Sequence, residues 1–229
     1  MRPFLVGGVF AGAPALVALL LAACAGSPQP QWQTAAHDAL ADYQREYLAG
    51  NTSPAERRYE RAKSAIASTG RLDLAARAAL VRCGLGTAAL DFDRCAGVAP
   101  LLADATAEDR AYAAFLDGRW DAPEIKSLAA PYRAIVAARD DAAQVKAMQS
   151  IEDPVSRLVA AGTLFRLARL SPDGVATAVD TASAEGLRRP LLAWLNVQLR
   201  LAQTAADPAA VATIRRRIEL VAPRSDADR

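Results

Sequence analysis

Residues 153–168 have the sequence DPVSRLVAAGTLFRLA, which combines a helix start signal with a helical apolar pattern. Asp153 followed by Pro154 is typical of an N-cap and a first helical residue, because the carboxylate accepts a backbone hydrogen bond and proline needs no N–H partner there. Apolar and small residues then recur every three or four positions, so they share one helix face. They are Val155, Leu158, Val159, Gly162, Phe165 and Ala168. The stretch predicts a helix over residues 154–169.

The same start signal recurs along the chain. Ser171-Pro172 and Asp207-Pro208 place a capping residue directly before proline, and residues 121–124 (DAPE) are a looser version. Residues 53–56 (SPAE) have the spacing of a capping box, in which serine and glutamate satisfy each other's backbone N–H groups. Glycines are the predicted helix ends, because they tolerate the left-handed conformation that terminates a helix. These glycines are Gly50, Gly70 and Gly118.

Start signals, end signals and apolar spacing together predict a series of short helices. They cover residues 34–49, 54–68, 71–90, 106–117, 123–129, 131–139, 141–150, 154–169, 172–184, 188–204 and 208–221. No segment alternates apolar and polar residues convincingly at period two, so no strands are expected. We therefore predict an all-α fold, an array of short antiparallel helices built as an α-solenoid or an irregular helical array.

One segment has the spacing of the second half of a tetratricopeptide (TPR) repeat, with Gly50, Ala55, Tyr59 and Ala62. In that family, small residues let paired helices approach each other and the aromatic residue fills the gap between them. The chain resembles the family over about 16 residues, and the next unit has Asp93 in place of the aromatic residue. The resemblance implies a TPR-like helix pair. A fortuitous Ala/Tyr pattern in an alanine-rich chain is the alternative.

Alanine makes up roughly a quarter of the 229 residues, whereas aromatic residues make up 6%. Alanine is the best helix former but buries little surface per residue, so we expect helices that pack closely over alanine faces. Without its first 23 residues the chain loses only Arg2 from its charges, which leaves 26 basic and 25 acidic residues and a net charge of +1. This balance argues against a nucleic-acid partner.

The N-terminus has the layout of a secretory signal, with Arg2, an uncharged apolar stretch over residues 5–21, and small residues before Cys24. Residues 21–24 (LAAC) resemble the lipobox of bacterial lipoproteins at every position. In that family the cysteine receives diacylglycerol and becomes the first residue of the mature protein. The resemblance implies a signal peptide over residues 1–23 and lipidation of Cys24. An uncleaved membrane anchor and an ordinary signal peptide are the alternatives, although about 17 apolar residues is short for a membrane span.

The residues after the cysteine bear on the final membrane of such a lipoprotein. Retention in the inner membrane is typically signalled by aspartate, whereas this chain has Ala25 and Gly26. The resemblance therefore implies an outer-membrane protein, lipid-anchored on the periplasmic face. Residues 24–33 are small, polar and contain two prolines, so they predict a tether that holds the body within about 30 Å of the membrane. A single helical domain over residues 34–222 and a disordered tail over residues 223–229 are predicted to follow.

Two further cysteines, Cys83 and Cys95, predict a disulfide bond, because an even number of thiols in an oxidising compartment favours pairing. Cys83 continues an apolar stripe with Leu72, Ala76 and Ala79, so we expect these side chains to face inward. The alternatives are two free buried thiols and a redox pair, which would lack the usual Cys-x-x-Cys spacing.

The sequence offers weak candidates for catalysis or metal binding. His37 is the only histidine and has no recognisable catalytic or metal-binding companion, so a solvated or partly packed side chain is favoured. Paired carboxylates are able to support glycoside hydrolysis, but most of the pairs lie where helices are predicted to begin and where the helix dipole favours acids. The pairs are Asp91/Asp93, Glu108/Asp109, Asp140/Asp141 and Glu152/Asp153. We predict no catalytic residue, no metal site and no cofactor.

Two features are candidates for partner binding. Arg215, Arg216 and Arg217 are expected on the outer surface of the last predicted helix, opposite Ile214. They either contact anionic lipid headgroups or a partner, or form a solvated face. Trp120 lies in a connection between helices and is either a binding hot spot or a residue that closes the gap between helix pairs.

Together these features predict an outer-membrane-anchored periplasmic lipoprotein that acts as a helical protein-interaction or assembly module of the cell envelope. By resemblance in fold, TPR-type lipoproteins of outer-membrane assembly and of peptidoglycan-synthase activation combine such features. The expected partners are the membrane, through Cys24, and an envelope protein. One alternative is a cell-wall (peptidoglycan-active) enzyme or its regulator, using Glu124, Glu152 or Glu185. The other is a small-ligand or lipid carrier, which requires a large apolar cavity that close packing over alanine disfavours.

The lipidation hypothesis predicts that Cys24→Ser abolishes acylation, because the thiol is the group that is modified. Labelling of cells with a radioactive or alkyne-tagged fatty acid should mark the wild-type protein and not the variant. Cell fractionation gives a second measurement. A variant that still sediments with outer membranes as a processed species would contradict the hypothesis.

Overall fold

The computed structural model describes residues 30–222. The predicted signal peptide (residues 1–23), the lipidation site Cys24, most of the predicted tether and the predicted tail (residues 223–229) lie outside the described residues. Ten α-helices occur in the described part, and no strand does. They are α1 (Gln31–Leu48), α2 (Thr52–Ala67), α3 (Leu72–Ala88), α4 (Ala107–Leu116), α5 (Ala130–Ala137), α6 (Asp141–Gln149), α7 (Pro154–Arg166), α8 (Pro172–Ala184), α9 (Arg188–Thr204) and α10 (Pro208–Val221). The all-α array of packed helices is confirmed.

The helix boundaries follow the sequence prediction closely, with two differences in kind. The segment predicted as a helix over residues 123–129 is a short 3₁₀ helix, Pro123–Ser127. Two further 3₁₀ helices, Phe92–Cys95 and Ala99–Leu101, were not predicted, because three or four residues are too few to show an apolar period. Helix α1 begins three residues earlier than predicted, and the carbonyl of Pro30 accepts a hydrogen bond from the Gln33 N–H at 2.9 Å.

Side-chain caps account for the start signals. In five α-helices the N-cap oxygen accepts a hydrogen bond from the backbone N–H three residues later, which satisfies one of the free donors of the first turn. The caps are Thr106, Asp140, Asp153, Ser171 and Asp207. The predicted ends are also confirmed, since Gly50, Gly70 and Gly118 have φ angles of +89°, +66° and +75°.

The predicted capping box at residues 53–56 is wrong. Helix α2 already begins at Thr52, so Ser53 lies inside the first turn, and the preceding Asn51 makes no side-chain cap. Pro54 is tolerated because residues of the first turn have no intrahelical N–H partner. The Glu56 carboxylate does not cap its own helix. It forms ion pairs with Arg94 and Arg82 instead.

Helices α1 and α2 form an antiparallel hairpin around three tyrosines whose rings are in contact and tilted by 41° and 46°. The ring of Tyr43 lies 5.7 Å from that of Tyr47 and 5.1 Å from that of Tyr59. Ala55 and Ala62 of α2 are fully buried, and Ala55 belongs to the same buried cluster as the tyrosines. The resemblance of this segment to a TPR unit stays a prediction.

Helix α3 joins the hairpin to the rest of the array. It packs against α1 and α2 on one side and against α4 and α7 on the other. Where α3 crosses α7, Gly162 lies against the backbone of Thr87, and a side chain at position 162 would overlap the Thr87 carbonyl. Trp194 of α9 is fully buried and donates a hydrogen bond from Nε1 to the carbonyl of Ala88 at 3.0 Å. Contacts between helices distant in sequence thus fix the array.

Cys83 of α3 and Cys95 lie at disulfide-bonding distance, with their Cα atoms 4.4 Å apart. The pair connects α3 to the first 3₁₀ helix and so holds the segment that follows α3 against it. None of the described helices is both long and apolar enough to cross a membrane.

The crossing of α3 and α7 predicts that Gly162→Ala is destabilising. The added methyl group has no room beside the Thr87 carbonyl, and such overpacking costs about 1–3 kcal/mol in free energy of unfolding. Chemical denaturation of the purified protein measures this cost. Gly97→Ala is the matched control, because a methyl group there meets no atom within 4 Å. Equal stability of the two variants would contradict the proposed close approach.

Candidate functional site

A groove with a volume of about 840 Å³ lies between the second half of α2, the first half of α3 and residues 93–101. Its lining combines apolar and cationic side chains. The lining residues are Tyr59, Lys63, Ile66, Ala67, Gly70, Arg71, Leu72, Ala75, Ala78, Ala79, Arg82, Asp93, Arg94, Gly97 and Leu101. The volume is within the range of about 300–1,000 Å³ that is usual for small-ligand sites.

Small side chains produce the space in this groove. Ala75, Ala78 and Ala79 face it from α3, and Ala67 faces it from the end of α2. We expected alanine faces to close the gaps between helices. Between α2 and α3, however, the alanines leave a gap open. Their side chains are too short to fill the space that separates the two helices here.

Leu72 does not face inward, contrary to the prediction for the apolar stripe of α3. Cys83, Ala76 and Ala79 are buried as expected, whereas 53% of Leu72 is exposed at the edge of the groove. Leu72 is the first residue of α3 and follows Gly70 and Arg71, so it lies beyond the part of the helix that α2 covers. An exposed leucine beside an apolar groove adds to the surface that a ligand is able to bury.

The groove wall carries four cationic residues and one carboxylate. The cations are Lys63, Arg71, Arg82 and Arg94, and the carboxylate is Asp93. Each cation is paired with a carboxylate that does not line the groove. The lining therefore contains four cationic residues, whereas the carboxylates paired with them lie outside it.

The inner pair of cations is held in place by Glu56. Arg82 Nη1 lies 3.0 Å from one Glu56 oxygen, Arg94 pairs with the other, and Arg94 Nε donates to Asp91 at 2.9 Å. Burial opposes the charge of Arg94, but the hydrogen bonds to Glu56 and Asp91 outweigh it and raise the pKa of Arg94. The guanidinium of Arg82 also lies over the ring of Tyr59 at 4.8 Å. This network fixes the inner wall of the groove.

The outer pair of cations lies at the edge of the groove. Lys63 Nζ donates to Glu60 at 3.0 Å, and Arg71 binds Asp73 through Nε at 2.9 Å and Nη2 at 2.5 Å. The hydrogen bonds from Arg71 lower the pKa of the Asp73 carboxyl to about 2. More than half of each cationic side chain is exposed to solvent, so both remain accessible to a ligand.

Several of the carboxylates considered for catalysis cap a helix or bind a neighbouring side chain. Asp140 and Asp153 cap α6 and α7, and Asp109, in the first turn of α4, accepts hydrogen bonds from Arg77 and from the Thr106 hydroxyl. The positions of these three acids follow from helix capping and from the helix dipole, as the sequence indicated, and none of them lines the groove. The candidate pair Asp91/Asp93 differs, because Asp93 lines the groove and Asp91 accepts a hydrogen bond from Arg94.

The remaining candidates from the sequence lie apart from the groove. His37 is largely exposed, with Nδ1 3.3 Å from Asp38. Glu152 and Glu185 are exposed, and Glu124 is 3.7 Å from Arg119. No cluster of three or more potential metal-ligating side chains occurs among residues 30–222.

Trp120 occupies the gap between helices. Its ring stacks on Phe115 with a centroid distance of 5.9 Å, and its Nε1 donates to the Phe115 carbonyl at 3.1 Å. The Arg169 guanidinium lies 5.2 Å from the ring centroid. These contacts give Trp120 a packing role, and its predicted role in partner binding stays a prediction.

The arginines of α10 lie on its outer side. Arg215 and Arg216 are exposed and Arg217 is half-buried, whereas Ile214 is buried against the array. None of the three pairs with a carboxylate of another described residue. Arg215 and Arg216 thus lie on the surface as expected, Arg217 is partly covered, and their role in binding stays a prediction.

Neither a protein-family model, nor a characterised protein, nor a solved structure matches this chain. The groove was not predicted from the sequence, although two signals for it were present. Cationic residues occur at positions 63, 71 and 82 of an alanine-rich stretch, and Leu72 is the first residue of a helix, where burial is less complete than in the helix interior.

The Glu56 network predicts that Glu56→Gln destabilises the fold by about 1 kcal/mol, because Arg94 and Arg82 lose their shared charged acceptor. Thermal unfolding at neutral pH measures the loss. Glu60→Gln is the matched control on the same helix, since its pair with Lys63 is exposed and such pairs contribute about 0–1 kcal/mol. A Glu56 variant as stable as the Glu60 variant would contradict the role of the network.

Proposed function

We propose that this chain is a non-catalytic, ligand-binding lipoprotein, anchored in the outer membrane through Cys24 with its helical body in the periplasm. The groove between α2 and α3 is its binding site. The observation that carries the proposal is the combination of an open volume of about 840 Å³ with a lining that includes four alanines, two leucines and one isoleucine. This finding favours the small-ligand or lipid carrier over the other functions that the sequence suggested, since a carrier requires such a space.

The position of the groove supports a function close to the membrane. Tyr43 packs on Tyr59, and Ala36 and Ile66 belong to the same buried cluster, so the antiparallel hairpin brings the start of α1 beside the end of α2. The groove includes Gly70, just beyond the end of α2. A lipid on Cys24, a few residues before α1, would therefore hold this end of the groove towards the membrane.

A protein-interaction module is the second candidate, and the surface of α10 supports it. Leu220 is 86% exposed and lies one helical turn from Arg216 on the same face. An exposed apolar residue beside exposed arginines is a combination found at protein interfaces. The groove supports the first candidate more strongly, because it offers a concave surface with many lining residues.

The cell-wall enzyme receives less support from the described residues. A general acid for glycoside hydrolysis needs a carboxyl group in a cleft, where burial raises its pKa. Glu152 and Glu185 are exposed on the surface, and neither lines the groove. We therefore assign binding, and not catalysis, to this protein.

The carrier proposal predicts that the uncharged apolar dye N-phenyl-1-naphthylamine binds in the groove with increased fluorescence. The mature chain (residues 24–229) carrying Cys24→Ser keeps every described residue and avoids competition from its own lipid. Ala75→Trp, which places a large side chain on the α3 wall, should weaken dye binding by about tenfold or more, because it fills the apolar space.

Ala212→Trp on the exposed side of α10 is the matched control and should bind the dye like the parent chain. Circular dichroism and melting establish that each variant is folded. If Ala75→Trp does not fold, Ala67→Trp tests the same groove from an exposed position at the end of α2. Absence of dye binding by the folded parent, or equal binding by all variants, would overturn the proposal.

A further inference from the structure

The lining of the groove is partly apolar and partly cationic, and the cationic residues differ in their exposure. Its apolar lining is continuous with two accessible cations, Lys63 on α2 and Arg71 before α3, and Leu72 lies next to them. The other two cations, Arg82 and Arg94, are less exposed and are tied to Glu56. The two more exposed cations therefore both lie near the connection between α2 and α3, with Lys63 towards the end of α2 and Arg71 directly before α3.

We infer that the ligand is a long-chain carboxylate, a single acyl chain with one anionic head, and this inference rests on the proposed function. The head binds between Lys63 and Arg71, and the chain lies along the alanines of α3 towards Leu101. Burial of each CH₂ group contributes to binding, while the cations set the direction of the chain in the groove.

Both cations have donors left for such a head group. Arg71 uses Nε and Nη2 for Asp73, so its Nη1 has no hydrogen-bond partner among the described residues. Lys63 binds the two oxygens of the single carboxylate of Glu60, and an ammonium group has three donors. Each of them already binds a carboxylate in this structure, which is the chemistry that the ligand head would repeat.

The size of the groove favours one chain over larger occupants. Its volume is typical of a site for a small ligand. A partner helix is about 10–12 Å wide with its side chains and needs a long, continuous apolar face. The cations and Asp93 interrupt the apolar lining on several sides, so the groove suits a thin chain with a charged end better than a helix.

The experiment compares dodecanoate with dodecanol as competitors of N-phenyl-1-naphthylamine, on the Cys24→Ser mature chain and below the concentrations at which either compound aggregates. Dodecanoate should bind about tenfold more tightly, because only its head forms charge-assisted hydrogen bonds. Lys63→Gln combined with Arg71→Gln should remove this preference, so that dodecanoate and dodecanol compete with the dye to a similar extent. Both residues are exposed, so the double variant is expected to fold.

Arg57→Gln combined with Arg61→Gln is the matched control, because both arginines are exposed on α2 outside the groove lining, and it should keep the preference. Equal affinity for dodecanoate and dodecanol, or a preference that survives in the Lys63/Arg71 variant, overturns the inference and leaves the carrier function standing. Tighter binding of dodecyl phosphate than of dodecanoate overturns the carboxylate assignment. Failure of the dye itself to bind contradicts the carrier function.

Discussion

Helices α3 and α7 approach each other closely because Gly162 of α7 has no side chain. At this crossing, Gly162 lies directly against the backbone of Thr87 in α3. Helix α3 also contacts α1, α2 and α4, so this approach fixes the hairpin of α1 and α2 relative to the later helices. Trp194 reinforces the arrangement by donating to the Ala88 carbonyl at the end of α3. Close contact at one end of α3 leaves its other end free to form one wall of the groove.

Alanine has two opposite effects in this molecule. In the hairpin, Ala55 and Ala62 are fully buried and allow α1 and α2 to lie close together. Between α2 and α3 the alanines at positions 75 and 78 border empty space. The residue type is the same, and the geometry of the neighbouring helix decides whether a short side chain produces tight packing or a cavity. Composition alone therefore does not predict the presence of a groove in an alanine-rich helical protein.

The charged residues around the groove combine stability with a capacity for binding. Glu56 holds Arg82 and Arg94 on the inner wall, where burial makes an unpaired charge costly. Lys63 and Arg71 are more than half exposed and are paired with the exposed Glu60 and the partly exposed Asp73, and such surface pairs contribute little to stability. In the proposed carrier, the two outer cations would share or exchange these partners with a ligand, whereas the inner ones stay bound to Glu56.

The sequence by itself determined the helices and most of their ends. Capping residues such as Asp153 and Ser171 and the glycine stops act within one turn of the chain, and local interactions of this kind are present in the sequence pattern. It also predicted the pairing of Cys83 with Cys95, which the structure places at bonding distance, while its assignment of lipidation to Cys24 concerns residues that the structure does not describe. Only the tertiary structure decided that Glu56 binds Arg94, 38 residues away, and does not cap its own helix. The same holds for the groove, because its volume depends on how α2 and α3 lie relative to each other, and that arrangement is set by contacts between distant helices.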